Sequence, residues 1–357
     1  MKPNRIVIIV PPGLEDLAME ECQELGLSKI EKHPGWLVTY GHDRWVHRLN
    51  NLARLPSRVL IELTSFKANS FSEFEAKLNK AKLGAIFQDR SIALKISVKH
   101  CRLYHTGAIE ERILRFLGRP GSVKGDESCM SLFVRGEDDV FTLSLDSTGD
   151  HLHRRGLALH RGVAPLRENL AAALVREASP SGAVWDPTCG SGTLILETIL
   201  RDTRWPLNRF RKFAFEQWPT HQASRYQTDL EEMEKEVKPL KRKILASDLE
   251  EKELDGCRAN LERAGCLDQV EVFQEDVTKL NPEDHLKEGV ILANPPYGER
   301  IAGGDEVLRS LAGWGEIAPA LGVHMVLPRG LKLAGFQRGI RFKNGGLGVG
   351  TYHHHGS

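Results

Sequence analysis

An asparagine, two prolines and a tyrosine follow each other where a strand should end. The apolar run "VILA" before them predicts a buried strand, and Pro295 and Pro296 stop it because proline donates no backbone hydrogen bond. The Asn294 amide oxygen and the Pro295 carbonyl are then two rigidly held acceptors, which can take both N–H groups of a planar amine. Tyr297 can stack on the ring that carries this amine. We therefore predict that Asn294, Pro295, Pro296 and Tyr297 form the catalytic turn of an enzyme that modifies a ring amine.

A second motif, "DPTCGSG" at residues 186–192, lies upstream at a predicted junction of strand and helix. Its glycines let the backbone approach a ligand, but its spacing matches neither a dinucleotide fold nor a phosphate loop. Asp186 beside the turn disfavours a phosphate and favours an ammonium group. Asp248 ends the next strand and can accept from a ribose diol. Asp276 ends the third strand and can accept from an exocyclic amine.

A ligand with ammonium, ribose and adenine groups but no phosphate matches S-adenosylmethionine, which is the expected cofactor. Each acid alone is more typical of a turn or a helix cap, whereas three acids at successive strand ends favour a ligand site. Cys189 lies in the turn without a His or Lys beside it, so we expect no nucleophilic role. The residues predicted to hold the cofactor are Asp186, Pro187, Thr188, Gly190, Ser191, Gly192, Asp248, Leu249, Asp276, Val277 and Asn294.

The two motifs can form one site only if a sheet brings the ends of their strands to the same edge. From about residue 150, strands alternate with helices, which predicts a parallel α/β sheet covered on both faces. Asn344-Gly345 between two extended runs predicts a terminal antiparallel hairpin. The first 150 residues read as smaller α+β units. Ligands of open α/β sheets bind outside the carboxyl ends of the strands, so the turn and the acids should share one edge.

Length and composition exclude several classes of protein. The 357 residues suffice for two or three domains, and a net charge of +1 gives no argument for a polyanionic partner. The six cysteines form no C-x-x-C pair, so we predict neither a zinc site nor disulfides. With no secretion signal and no apolar run near the roughly 18 residues of a membrane span, we expect a cytoplasmic protein without a membrane partner. The histidine tail at 353–355 is assigned no role.

Several stretches resemble known families. "DPTCGSG" with "NPPYGER" resembles the amino-methylating branch of class I S-adenosylmethionine-dependent methyltransferases. "HRRGLALHRGVAPLRENLAAAL" is similar to the stretch before the catalytic domain in THUMP-containing RNA guanine-N2 methyltransferases, the group that acts on large-subunit ribosomal RNA, and "NRFRKFAFEQWPT" resembles an insert of that group. "KHCRLYHTGAIEERIL" resembles the THUMP core, and "VPPGLEDLAMEECQELG" the ferredoxin-like domain before it.

The resemblance implies three domains: ferredoxin-like over 1–55, RNA-binding THUMP over 56–150, and a class I, Rossmann-like methyltransferase over 151–357. It implies methyl transfer to the N2 amine of one guanine, in large-subunit ribosomal RNA, with a transfer RNA substrate left open. Some members of that group carry a second methyltransferase domain after this one, whereas this sequence stops at the hairpin. We therefore expect this chain to perform one methylation, and to act as a monomer.

Two alternatives from other classes remain. An adenine-N6 or other amino methylase also uses "NPPY", but the THUMP-like half argues against it. A non-catalytic RNA-binding assembly factor is disfavoured by the intact acids and by Asn294. Arg154 and Arg155, at the domain junction, could touch RNA or pin the domains together. The basic residues predicted to meet RNA phosphates are Lys95, Lys99, Arg102, Arg112, Arg154 and Arg155, for which a solvated surface position is equally compatible.

Overall fold

The computed structural model describes residues 3–81, 83–88, 90–118, 129–158, 160, 166–296, 304–344 and 346–355. These residues form two seven-stranded sheets, one in each half of the chain. The strands of the first half are β1 (Asn4–Ile9), β2 (Ile30–His33), β3 (Trp36–Gly41), β4 (Arg58–Lys67), β5 (Ile92–Lys99), β6 (Met130–Glu137) and β7 (Val140–Asp146). Its helices are α1 (Glu15–Glu24), α2 (Asp43–Leu52), α3 (Phe71–Lys80), α4 (Gly84–Phe87) and α5 (Thr106–Leu117).

The second half alternates strands with helices. Its strands are β8 (Val184–Asp186), β9 (Ile244–Asp248), β10 (Glu271–Gln274), β11 (Gly289–Ala293), β12 (Leu321–Pro328), β13 (Gln337–Asn344) and β14 (Leu347–His354). Its helices are α6 (Glu168–Ala178), α7 (Thr193–Thr203), α8 (Ala223–Glu234), α9 (Glu251–Ala264) and α10 (Gly304–Ile317). Short 3-10 turns occur at Leu207–Arg209, Ala214–Gln217, Leu267–Gln269 and Pro282–Asp284.

The N-terminal sheet has the order β2-β3-β1-β4-β7-β6-β5. Neighbouring strands are antiparallel except β5 and β6, which run parallel. Residues along β6 alternate between buried and half-buried, as expected of a strand with one well-covered face. Because β4 pairs with β1 on one side and β7 on the other, the two α+β units expected from the sequence share one sheet. The predicted boundaries at 55/56 and 150/151 stay predictions.

The C-terminal sheet has the order β10-β9-β8-β11-β12-β14-β13. The first five strands of this order are parallel to one another, whereas β14 pairs antiparallel with both β12 and β13. This arrangement confirms the predicted α/β sheet with its terminal hairpin. Gly345 of the predicted hairpin turn lies outside the described residues. Strand order reverses between β8 and β11, and such a switch point is where open α/β sheets bind ligands.

Apolar packing joins the two halves. One continuous core contains Ile6 and Ile8 of β1 together with Leu170 of α6 and Leu230 of α8. The segment around α3 and α5 instead has a core of its own. Removal of the first 60 residues would therefore expose apolar surface of the C-terminal half. Among the described residues, no helix combines the length and the apolar character that crossing a bilayer requires.

The histidine tail belongs to the C-terminal sheet. His353 lies in β14, is buried, and places its Nδ1 2.6 Å from Nδ1 of His324 in β12. Its Nε2 lies 3.2 Å from the Glu177 carboxylate of α6. The tail thus has a structural place that its composition did not indicate.

Candidate active site

The predicted site residues converge at one edge of the C-terminal sheet. β8 lies between β9 and β11, and β10 flanks β9, so their carboxyl ends stand side by side. Asp186 ends β8 and Asp248 ends β9, while Asp276 and Asn294 follow β10 and β11 closely. The strand order therefore brings the acids and the Asn-Pro-Pro turn together, as the sequence predicted from their places at strand ends.

The Gly-rich turn is held in place by backbone contacts. Gly190 and Gly192 have φ angles of +50° and +83°, in the left-handed region that glycine adopts without strain. A Cβ on Gly192 would lie 2.7 Å from the Cys257 Sγ of α9, so no larger residue fits there. The Gly190 amide donates to Asp248 Oδ2 at 2.8 Å, which fastens the turn to the end of β9. Of the other predicted turn residues, Pro187 and Ser191 are buried and Thr188 is half-buried.

A buried asparagine on α9 supports the same turn. Asn260 Nδ2 donates to the carbonyl of Ser191 at 3.0 Å and to that of His160 at 3.1 Å. Sequence reasoning missed this residue. Its only signal is that asparagine is a poor interior helix residue, and such a residue usually serves a hydrogen bond.

The two acids nearest the turn lack a cationic partner. Asp186 is 2% exposed and accepts from the Thr188 amide at 3.1 Å. Burial raises the pKa of Asp186 well above its usual range, and the negative charge of Asp248 raises it further. Burial also raises the pKa of Asp248. Within the described part of the chain neither carboxylate forms an ion pair, so a ligand ammonium would supply the missing charge.

Asp276 has a different environment from the other two acids. Its Oδ1 accepts from the Thr278 hydroxyl at 2.7 Å, and its Oδ2 pairs with Lys279 at 2.7 Å. Hydrogen bonds from Lys279 and Thr278 lower the pKa of Asp276 to about 2. The carboxylate is thus ionised but already engaged, and a ligand amine would have to share it. The neighbouring Val277 is buried.

Leu249 offers an apolar surface next to Asp248. Its side chain is 55% exposed, so it is open to contact with a flat ring. The cofactor role of Leu249 stays a prediction.

The Asn-Pro-Pro turn contains an unsatisfied acceptor. Asn294 Oδ1 is buried and has no hydrogen-bond partner within the residues that the structure describes. Such an atom costs about 1–3 kcal/mol unless a ligand donates to it. A Cβ on Gly304, where α10 begins, would lie 2.8 Å from the Pro296 carbonyl oxygen, so α10 starts directly against the turn. Tyr297, the predicted stacking residue, lies outside the described residues.

Two family models match parts of this chain. Residues 155–312 match the RMKL-like methyltransferase domain. Residues 5–60 match the RlmL ferredoxin-like domain, which covers β1 to β3 and the start of β4. All the predicted cofactor and catalytic residues lie inside the RMKL-like match.

Three similar proteins illustrate the likeness. "Ribosomal RNA large subunit methyltransferase K/L" of Pseudomonas putida (strain GB-1) is 30% identical over 323 residues, 84% of this chain but 44% of the relative. The chain therefore spans less than half the length of that relative. The structure of a protein described as a predicted N6-adenine-specific DNA methylase from Listeria monocytogenes is 26% identical with a TM-score of 0.83, covering 99% of this chain and 96% of that one. SMU.472, a methyltransferase complexed with SAH, has a TM-score of 0.83 at 21% identity, covering 100% and 99%.

Cys189 of the Gly-rich turn is unsuited to nucleophilic chemistry. A hydrogen bond with the Cys257 thiol and burial together raise the pKa of Cys189 well above its usual range. The thiol therefore stays protonated, in line with the absence of a basic neighbour in the sequence.

The structure gives Arg154 and Arg155, the two arginines at the predicted domain junction, different environments. Arg155 is 2% exposed, and its Nε donates to the Glu197 carboxylate of α7 at 3.0 Å. Its Nη2 also donates to the Arg54 carbonyl of the N-terminal half. Of the two roles predicted for Arg155, the structure supports pinning the halves together, because a buried guanidinium cannot meet RNA. Arg154 is half-exposed and pairs with Asp150 at 3.4 Å.

The other basic candidates lie in the N-terminal sheet and on α5. Lys95 and Lys99 project from β5 and are exposed, and Lys95 Nζ lies 5.1 Å from the centre of the Phe133 ring. Arg102 follows β5 and pairs with Asp139 at 3.8 Å. Arg112 of α5 pairs with Glu75 at 3.1 Å and stacks on Phe71 at 3.8 Å. The two lysines are thus the least engaged of these candidates.

Proposed function

We propose that this chain transfers a methyl group from S-adenosylmethionine to the N2 amine of a guanine in large-subunit ribosomal RNA. The observation that carries the chemistry is the buried Asn294 Oδ1, which has no hydrogen-bond partner among the described residues, at the sheet edge that also carries Asp186 and Asp248. The class of RNA follows from the relatives named ribosomal RNA large subunit methyltransferase K/L, which match 84–96% of this chain.

The residues present fit S-adenosylmethionine. The buried carboxylate of Asp186 would hold the ammonium of the methionyl group, Asp248 the ribose diol, and Leu249 the adenine face. Gly190 and Gly192 give the turn its shape, because both have positive φ angles and a Cβ on Gly192 would meet the Cys257 Sγ of α9. When bound, S-adenosylmethionine supplies a methyl group on a positively charged sulfur.

The Asn-Pro-Pro turn would hold the accepting amine. A guanine N2 amine is a weak nucleophile because its lone pair is delocalised into the ring. Asn294 Oδ1 and the Pro295 carbonyl would accept its two protons and keep the nitrogen directed at the methyl group. The base must leave its stack to reach this turn, as is general for enzymes acting on bases. The prolines hold both acceptors in advance, which is where the rate gain comes from.

The N-terminal half would bind the RNA. We assign residues 1–55 as ferredoxin-like and 56–150 as THUMP, with the methyltransferase domain from 151. The exposed Lys95 and Lys99 are its best candidates for phosphate contacts. Arg102 and Arg112 would first have to give up their ion pairs with Asp139 and Glu75. Such contacts position the substrate without reading its sequence.

A second candidate is methylation of adenine N6 in DNA. It is favoured by the name of the Listeria monocytogenes structure, which matches nearly the whole chain. The same turn would accept the N6 amine, so the geometry of Asn294 does not separate the two bases.

The deciding experiment offers the purified chain tritiated S-adenosylmethionine with three acceptors: large-subunit ribosomal RNA from a deletion strain, transfer RNA, and DNA. Digestion and mass spectrometry of the products then identify the methylated nucleoside. We expect N2-methylguanosine in the ribosomal RNA alone. N6-methyladenine in DNA would replace the proposal with the second candidate, and label in transfer RNA alone would change the substrate class.

A further inference from the structure

A small cleft on the terminal hairpin is lined by arginines. Arg329, just after β12, and Arg338 and Arg341 of β13 surround a cavity of about 150 Å³. Tyr352 of β14 also lines it, with the Arg338 guanidinium 5.9 Å from the ring centre. None of the motifs described above includes these residues, and no step of the proposed chemistry uses them.

The cleft is built by an irregularity in β13. Residues three apart in a regular strand point to opposite faces of the sheet. The pairing of β13 with β14 shifts register between Arg338 and Arg341, which lets both side chains reach one cavity. Bulges of this kind re-aim side chains and are common beside functional sites. Gly350 opposite Arg341 adds no side chain to the space between them.

The arginines are positioned but not neutralised. Arg338 Nη2 donates to the Leu331 carbonyl at 2.7 Å, and Arg329 Nε to the Val349 carbonyl at 3.4 Å. Carbonyls orient a guanidinium and leave its charge in place. Across the described ranges, none of the three arginines forms an ion pair with a carboxylate.

The C-terminal segment that forms the cleft contains no acidic residue of its own. After Glu316 the sequence contains no Asp or Glu but five Lys or Arg residues. Glu177 of α6 touches the hairpin, yet its carboxylate accepts from the Ile340 amide and the Thr351 hydroxyl and pairs with His353. The cleft is thus a concentration of positive charge suited to an anion with several oxygens.

The cleft lies in line with the Asn-Pro-Pro turn. Four residues lie side by side across neighbouring strands of the sheet, in the order Ala293, Met325, Tyr352 and Arg338. Ala293 directly precedes Asn294. Three strand spacings, or about 14 Å, therefore separate Ala293 from Arg338. Since β12 is parallel to β11, Arg329 also follows the carboxyl end of its strand on the edge that carries the turn.

We propose that Arg329, Arg338 and Arg341 form a phosphate-binding site that holds the RNA backbone next to the methylated nucleotide. This rests on the proposed function, since the ligand is the RNA strand whose base enters the Asn-Pro-Pro turn. The hairpin thereby positions the target nucleotide from within the catalytic half, in addition to contacts made by the N-terminal half.

The test measures binding of the full-length chain to a short, fluorescently labelled single-stranded RNA at several salt concentrations. Arg338→Ala and Arg341→Ala should each weaken binding about tenfold. Each should also lower the slope of log K against log[salt] by about one. Arg338→Lys should keep the slope and lose part of the affinity, because it keeps the charge without the bidentate geometry.

The matched control is Lys235→Ala, at the residue directly after α8. It removes the same charge from an exposed residue that pairs with Glu232 and lies outside the cleft. If the arginine variants bind RNA with the affinity and salt slope of this control, the phosphate site is refuted. Wild-type methylation of ribosomal RNA, measured alongside, would then leave the proposed function standing. If the wild-type chain neither binds nor methylates RNA, both proposals fall.

Discussion

Asp186 offers the sharpest test of the cofactor site, because its ionisation should be coupled to binding. The change is Asp186→Asn, which removes the charge and keeps the oxygen that accepts from the Thr188 amide at 3.1 Å. A hydrogen bond to a charged group contributes roughly 1.5–3 kcal/mol, so the dissociation constant for S-adenosylmethionine should rise about 10- to 150-fold.

The pH dependence gives a second, independent signature. Burial raises the pKa of Asp186 in the free protein, and a bound ammonium would lower it again. Between these two pKa values binding releases a proton, so the affinity of the wild-type chain should increase with pH, at most about tenfold per unit. Above the free-state pKa the dependence should vanish. In Asp186→Asn the affinity should be flat through the same window.

Isothermal titration calorimetry in two buffers of different ionisation enthalpy measures both the affinity and the proton release. Methylthioadenosine is the matched ligand, since it keeps adenine and ribose but lacks the ammonium group. Its affinity should not change in Asp186→Asn, which separates this carboxylate from Asp248. Equal losses for both ligands, or proton release unchanged by the substitution, would refute the assignment of Asp186 to the ammonium.

Protein stability provides the folding control. A group whose pKa is raised on folding makes the native state less stable as pH rises through that pKa, because the native state must give up a proton that it holds more tightly. The uncharged Asp186→Asn variant escapes this loss. It should therefore melt no lower than the wild-type chain at neutral pH, and a weak ligand affinity could not be ascribed to unfolding.

Three further changes test other parts of the site and its support. Asn294→Ala should leave cofactor affinity nearly unchanged and slow single-turnover methylation on the order of 10²-fold, and a wild-type rate would remove Asn294 from the reaction. Asp248→Ala should weaken cofactor binding by roughly 1.5–3 kcal/mol in calorimetry, which unchanged affinity in a folded variant would contradict. Arg155→Met leaves the buried Glu197 carboxylate unpaired and should destabilise the chain by about 3–5 kcal/mol in thermal unfolding. The double variant Arg155→Met/Glu197→Leu should recover much of this stability, and a double variant without recovery would argue against the ion pair.

Short sequence patterns were enough to predict where the candidate site lies. Two prolines end a strand, glycines with positive φ make a tight turn, and parallel strands put their ends at one edge, whatever the rest of the chain does. These rules placed Asp186, Asp248 and Asn294 on one edge, and Asn344-Gly345 predicted the terminal hairpin; the strand order agrees with both. The identity of the turn, the acids and the α/β sheet therefore followed from short stretches of sequence.

Long-range pairing decided what the local patterns left open. The sequence left two roles open for Arg155, contact with RNA or pinning of the domains, and the structure decides between them by bringing Glu197, 42 positions away, against it in the core. The register shift that turns Arg338 and Arg341 into one cleft depends on how β13 meets β14, since strict alternation would send them to opposite faces. The role of a charged residue is set by the partner that folding supplies, and a local sequence pattern does not contain that partner.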